Sequence, residues 1–261
     1  MKGCFYQFHI DKKILMQNYF DKGFDLFLRN ANSKKAKEYI KQHLPELNSV
    51  TVEINSQETL DAFCANNPNF KIDPEGYDPL NFALMYFKEL SEPMGWKYGQ
   101  LGIWASNYTA WLNFLETDYD YVMLIEDDVY FEDGAFETFE ECIKELPDNW
   151  EIYHYCVPKT KFQARQIPKD VWNTFDIGKD KICLPYIDDS NACYIINRKG
   201  VEKLLKQVQE GIFLPLDWHW FKQPLFNIYA TKPEVNTYCD LITIKSTHWD
   251  YESFVKLPIV S

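Results

Sequence analysis

The 261-residue chain predicts an α/β domain: a three-layer α/β/α sandwich, with helices on both faces of a mostly parallel central sheet. Three observations carry that class. Short apolar runs alternate with helical repeats along the chain. The most apolar run, Val122-Met123-Leu124-Ile125, reads as a buried strand that follows a long helix. No linker divides the chain, and its length suits one domain.

The elements follow in order. Gly3 to Ile10, rich in Phe and Tyr, reads as the first strand. Asp11 is placed to cap a helix through Ile14, Leu15, Gln17 and Tyr19. Phe24 to Leu28 reads as a short strand. Ser33 to Leu44 reads as a helix, with Ala36, Tyr39, Ile40 and Leu44 at spacings of three or four and Pro45 behind it. Ser49 to Ile54 alternates as a strand does, and Ser56 opens a helix to Cys64. Asn66 to Pro79 is polar, with three Pro and one Gly, and reads as a loop. Leu80 to Leu90 has helical character and is broken by Ser91 to Gly95.

Gly99 to Leu115 is the clearest helix, since Leu101, Trp104, Ala105, Tyr108, Trp111, Leu112 and Leu115 recur at a helical period. The apolar strand comes next, then a helix from Phe131 to Leu146 stopped by Pro147, then a strand from Trp150 to Val157. Lys159 to Lys181 has weak periodicity and reads as a loop over a site. Cys193 to Asn197 is a strand, and Val201 to Gln209 a helix that Gly211 ends as a C′ residue able to take positive φ. The tail Leu241 to Ser261 shows no strong helical pattern.

Composition narrows the function. With 27 basic and 39 acidic residues the formal charge is -12, which argues against a nucleic-acid backbone as the partner. A phosphate-bearing ligand remains compatible, because a bound metal changes the local sign. Aromatics reach 17%, enough for a core and for platforms against sugar rings or bases. The seven Cys are odd in number, with no pair at CxxC spacing, and read as thiols in a reducing compartment. The first ten residues are too short and too polar for a signal peptide, and no apolar run reaches 18 residues. No transmembrane segment is expected, any membrane contact would be peripheral, and the expected location is cytoplasmic, in the host cytoplasm if the source is a virus.

The chemistry concentrates where the apolar strand runs into Glu126-Asp127-Asp128. Three carboxylates at a strand end repel one another and lose hydration. A divalent cation carrying a phosphate ligand offsets that cost, and hard oxygen ligands suit Mn²⁺ or Mg²⁺ equally. In an extended chain Glu126 and Asp128 point to one side and Asp127 to the other. A solvated strand end is the plain alternative. His248, in Thr247-His248-Trp249-Asp250, is the best remote metal ligand, with Asp250 a weaker one; a surface or capping histidine is the alternative.

Asp217, in Pro215-Leu216-Asp217-Trp218-His219-Trp220, stands between Leu and aromatic rings, and suits either a base for a sugar hydroxyl or a helix N-cap. Trp218 and Trp220 could bound an acceptor sugar. Asp188 and Asp189 form a second acidic pair that could orient sugar hydroxyls or the base, or simply a solvated turn. Gly99-Gln100-Leu101-Gly102 opens the long helix and allows backbone close to a ligand. A nucleotide-sugar transferase fits this set best. A metal-dependent phosphohydrolase or nucleotidyltransferase also needs clustered acids, and a non-catalytic carbohydrate-binding protein also needs aromatic surfaces.

Three stretches carry a family resemblance. They are Tyr98 to Trp111 followed by Leu124-Ile125-Glu126-Asp127-Asp128-Val129, then Ala192 to Leu205, then Leu214-Pro215-Leu216-Asp217-Trp218. In order and spacing the chain resembles glycosyltransferase family 25, the lipooligosaccharide and collagen-type galactosyltransferase group. The resemblance implies a GT-A fold and an inverting transferase that moves a sugar from a nucleotide donor, a UDP-sugar, to a glycan or oligosaccharide acceptor. It puts the metal on Asp128 with Glu126 or Asp127 nearby, and makes Asp217 the acceptor-side base. His248 follows by analogy with GT-A enzymes generally. The nucleotide-sugar half would span about 1–130 and the acceptor half about 131–261. The family's Ser-His pair in the long helix reads Ser106-Asn107 here, which places Ser106 among the donor contacts. Its first-strand Asn-Leu-Asp-Arg pattern is replaced by Gln7-Phe8-His9-Ile10-Asp11.

Overall fold

The computed structural model describes residues 3–8, 48–50, 52–73, 96, 98–126, 129–131, 134–156, 175–185, 193–212, 214–216, 226–232, 234–235 and 239–241. The strands are β1 (Gly3–Phe8), β2 (Asn48–Ser49), β3 (Tyr121–Glu126), β4 (Val129–Phe131), β5 (Ile152–Cys156), β6 (Ile182–Cys183), β7 (Cys193–Asn197), β8 (Ile228–Thr231) and β9 (Cys239–Leu241). The helices are α1 (Gln57–Asn66), α2 (Tyr98–Leu115), α3 (Ala135–Glu145) and α4 (Arg198–Glu210). The segments read as helices over Asp11–Tyr19, Ser33–Leu44 and Leu80–Leu90, and as a strand over Phe24–Leu28, lie outside the described residues.

The main sheet has the order β2-β1-β3-β7-β5-β8-β6, and β4 pairs separately with β9. This corrects the expected mostly parallel GT-A sheet. The pairs β1–β2, β1–β3 and β5–β8 are parallel, while β3–β7, β5–β7, β6–β8 and β4–β9 are antiparallel. The reversal sits at the centre, where β7 runs against both neighbours. Alternation of strand and helix looks the same in either arrangement, because hydrophobic period marks a strand and not its direction.

Side-chain alternation divides the core cleanly. Val122 and Leu124 of β3, Ile152 of β5, and Tyr194 and Ile196 of β7 face α1, α2 and α4. Tyr121, Met123 and Ile125, with Tyr153, Tyr155, Cys193 and Ile195, face α3 through Phe139, Cys142 and Ile143. α2 carries no charged residue and is buried along most of its length, as a helix apolar nearly all round must be. Its C-terminal end is closed by Arg198, whose guanidinium donates to the carbonyls of Leu115, Thr117 and Tyr119 and stacks 5.0 Å above the Phe114 ring.

Local signals set the helix ends. Ser56 and Thr59 form a capping box for α1. The Asn197 side chain accepts from the Gly200 N–H at 2.9 Å and starts α4, and Gly211 at φ 120° ends it. Two boundaries differ from the sequence reading. The strand expected over Ser49–Ile54 stops at Ser49, because the Val52 N–H donates to Ser106 Oγ at 2.9 Å instead of joining the ladder. The helix expected from Phe131 starts at Ala135, because Val129–Phe131 pairs with β9. The Cys residues described, Cys64, Cys142, Cys183 and Cys193, are free thiols. Among the described residues, no helix is long and apolar enough to cross a membrane.

Candidate functional site

Strand register brings several chain ends to one edge of the sheet. β1 ends at Phe8 opposite Glu126, and β2 ends at Ser49 opposite Gln7. β7 begins at Cys193, opposite Ile125 on one side and Cys156 at the end of β5 on the other. This edge therefore collects the carboxyl ends of β1, β2, β3 and β5 and the start of β7. α2 runs back along the sheet into β3, so its first turns lie toward the same edge.

Glu126 is the last residue of β3. Asp127 and Asp128 are the two residues between β3 and β4, and lie outside the described residues, as do Asp188, Asp189, Asp217, His248 and Asp250. The described chain reaches close to several of them. Asp189 precedes Cys193 by four residues, and Asp217 directly follows the buried Leu216. In the β4–β9 pair Leu241, the last described residue before the tail, stands opposite Val129. His248 is seven residues further along that tail.

Two of the predicted residues lie on α2. Gly99 is half-buried in its first turn. Ser106 is buried, and its hydroxyl accepts the Val52 N–H. Gly102 lets the Val52–Ile54 segment cross closely, since a Cβ there would stand 3.3 Å from the Val52 carbonyl.

Beside Ser106 lies a buried polar cluster that the sequence reading did not single out. The Tyr194 hydroxyl donates to Asn107 Oδ1 at 2.5 Å and accepts from Trp111 Nε1 at 3.1 Å, while Asn107 Nδ2 donates to the Ile103 carbonyl. His154, the Cα partner of Tyr194 across β5 and β7, is buried with its ring 6.4 Å from the tyrosine ring. Burial pushes the His154 imidazole down to about 4, so it is neutral at pH 7. The available signal was positional: Tyr194 and His154 occupy the same strand face as the apolar residues that meet α2.

The sequence profile of glycosyltransferase family 25 (LPS biosynthesis protein) matches residues 26–220. The chain belongs to glycosyltransferase family 25. It is 24% identical over 208 residues to human procollagen galactosyltransferase 2, a stretch that is 75% of this chain and 29% of that protein. The chain thus matches under a third of the length of that relative. Among solved structures, it is similar to a glycosyltransferase involved in the glycosylation of the major capsid of PBCV-1. That similarity covers 86% of this chain and 72% of the other, with 10% identity and a TM-score of 0.36, too low to bear on the fold.

For this family 25 chain, the matched span includes Glu126-Asp127-Asp128, Asp188-Asp189 and Asp217, and stops before His248. Among the described residues no group of three His, Cys, Asp or Glu is placed to hold a metal ion. Of the residues assigned to that task in the sequence, Glu126 is among them at the end of β3, while Asp127, Asp128 and His248 lie outside them.

Proposed function

We propose that the chain transfers a sugar from a nucleoside-diphosphate donor, a UDP-sugar, to a hydroxyl of a glycan acceptor, with inversion at the anomeric carbon. Family 25 membership carries this reading. The gathering of strand ends beside Glu126 supports it, because ligands of open α/β sheets bind at the carboxyl ends of strands.

Asp128 with Glu126 or Asp127, joined by His248 from the tail after β9, would hold Mn²⁺ or Mg²⁺. These carboxylates and imidazole fit such an ion in kind. When bound, the cation supplies charge neutralisation for the departing diphosphate. The chain's own residues do the rest. Asp217 takes the proton of the acceptor hydroxyl as it attacks the anomeric carbon from the face opposite the leaving group. Asp189 orients the acceptor hydroxyls or that base. Gly99 lets backbone approach the donor at the start of α2, and Ser106 fixes the neighbouring Val52 segment.

The test is a thermal-shift screen of UDP- and GDP-sugars with and without Mn²⁺, followed by product analysis with glycan acceptors. Stabilisation by one UDP-sugar only with the metal, and release of nucleoside diphosphate, is the expected result. Release of phosphate or pyrophosphate would instead mark a phosphohydrolase or nucleotidyltransferase. Glycan binding with no donor consumed would mark a passive carbohydrate-binding protein.

A further inference from the structure

We infer that Trp104 is a positioning residue for Asp217, an assignment that rests on the reading of Asp217 as the acceptor-side base. Among the described residues between α4 and Leu216, none lies in a helix or a multi-residue strand, so their path depends on individual bonds. Those bonds are specific. Ile212 forms a parallel bridge with Ile72, its N–H donates to the Lys71 carbonyl at 2.9 Å, and its carbonyl accepts from the Asp73 N–H at 2.9 Å. The Asp73 carbonyl in turn accepts from Trp96 Nε1 at 3.2 Å. Two residues beyond Ile212, the Leu214 carbonyl accepts from Trp104 Nε1 at 2.8 Å in a fully buried setting. Leu214 and Leu216 are themselves buried, and Asp217 is the next residue.

Trp104 lies in the middle of α2, fully enclosed, with its ring edge-on to Trp111 at 6.1 Å. Packing alone would be met by any large aromatic there. The indole N–H adds a directional bond that a phenyl ring cannot make, and it falls on the last irregular stretch before the carboxylate. An indole locked in a packed helix is a stiff post, so the bond fixes where the backbone leaves for Asp217. α2 also carries Gly99 and Ser106, so the helix that holds the Leu214 carbonyl is the one that carries the proposed donor-side residues.

Trp104→Phe keeps the packed ring and deletes the bond. Trp111→Phe is the matched control: it deletes an equally buried indole N–H from the same helix, but one that reaches Tyr194 on β7. Leu216→Val loosens the Asp217 segment without touching α2 and is the second variant if Trp104→Phe folds poorly. In an enzyme with measured transfer, Trp104→Phe and Leu216→Val lower kcat about tenfold or more with donor affinity unchanged, because small misplacements of a base are costly. Trp111→Phe keeps kcat within about twofold by the same reasoning. The inference is overturned if Trp104→Phe retains kcat, or if both tryptophan variants lose kcat and donor affinity together in step with stability. Asp217→Asn separates the two levels. An essential Asp217 with a silent Trp104→Phe removes this inference alone. A silent Asp217→Asn in an active enzyme removes the base assignment, and this inference with it.

Discussion

Glu151 and Glu126 stand at opposite edges of the same sheet, and what the chain supplies beside each differs: lysines in contact with Glu151, only further acids next in sequence to Glu126. Glu151, just before β5, is fully buried and is met by the protein's own cations. Lys203 Nζ lies 2.6 Å from one carboxylate oxygen, Lys199 Nζ lies 3.4 Å away, and the Asn227 N–H donates at 3.1 Å. Burial alone would raise its pKa, but the Lys203 bond, the Asn227 N–H and Lys199 hold it below the usual carboxylate value. At the other edge Glu126, Asp127 and Asp128 follow one another, and the sequence from Tyr119 to Ala135 contains no Lys or Arg. An acid supplied with resident lysines is part of the scaffold. A run of acids with no basic residue built in beside it in sequence is suited to a cation that arrives with a ligand.

The largest expected effect tests that contrast directly. Asp128→Ala should reduce metal-dependent transfer at least about 100-fold, the scale for losing one charge-stabilising group at a reacting centre. Its urea midpoint without metal should hold or rise, since one of three clustered charges is gone. Full activity, or a large loss of stability, would place Asp128 with Glu151 as a scaffold acid.

The second test uses pH. Burial holds the His154 imidazole at about 4 in the fold, against 6.5 for a solvent-exposed side chain. Its folded pKa is depressed, so the unfolded chain binds the proton first. The stability is complete above about pH 6.5 and is lost as pH falls toward 4, by about 3 kcal/mol in all. Glu151 acts in the same direction at lower pH, since a depressed carboxylate contributes stability that disappears as pH falls through its folded pKa. Urea unfolding of the wild type and His154→Gln at pH 7, 5.5 and 4.5 checks this. A wild-type loss no steeper than that of the variant would mean the imidazole is not buried and neutral.

Lys203→Met probes the scaffold edge at similar size. It strips the closest cation from a buried carboxylate and should cost about 3 kcal/mol, the low end for breaking a buried pair because Lys199 remains. Transfer per folded molecule should be unchanged. A fall in kcat at full stability would show that the two edges are coupled.

One side of this contrast, the acidic strand end, was legible in the sequence; the lysine-paired Glu151 was not, and the limits have physical causes. The acidic strand end was visible because β3 is apolar on both faces and then abruptly charged. α2 and α4 were visible from their period, and Ser56 and Gly211 from the chemistry of helix ends. Strand direction was not visible: β7 reads the same run either way, and only its place between β3 and β5 makes the sheet mixed. Val52 reads as strand, yet its N–H goes to a hydroxyl 54 positions along the chain. Phe131 reads as the start of a helix, yet it pairs with Cys239. Such long-range bonds leave no local trace, and those of Trp104 to Leu214 and of Tyr194 to Asn107 and Trp111 went unread for the same reason.

Two glycines give the smallest and most even-handed comparison of the edges. Gly200 lies in the first turn of α4 on the Glu151 side, where a Cβ would stand 2.8 Å from both the Glu151 carbonyl and Ile196 Cγ1. Gly102 lies toward the opposite edge, where the nearest atom, the Val52 carbonyl, would be at 3.3 Å. Both sites are helical, so Ala at either gains up to about 1 kcal/mol in propensity. At Gly200 two contacts below 3 Å, one of them to backbone, outweigh that gain, and Gly200→Ala should destabilise by about 1–3 kcal/mol. At Gly102 a shift of a few tenths of an ångström in the Val52 segment suffices, so Gly102→Ala should remain within about 0.5 kcal/mol of the wild type. Urea midpoints measured side by side decide it. Equal losses at the two sites would mean that the Val52 crossing over α2 is as tightly held as the Glu151 node, so that the site edge is as rigid as the scaffold edge.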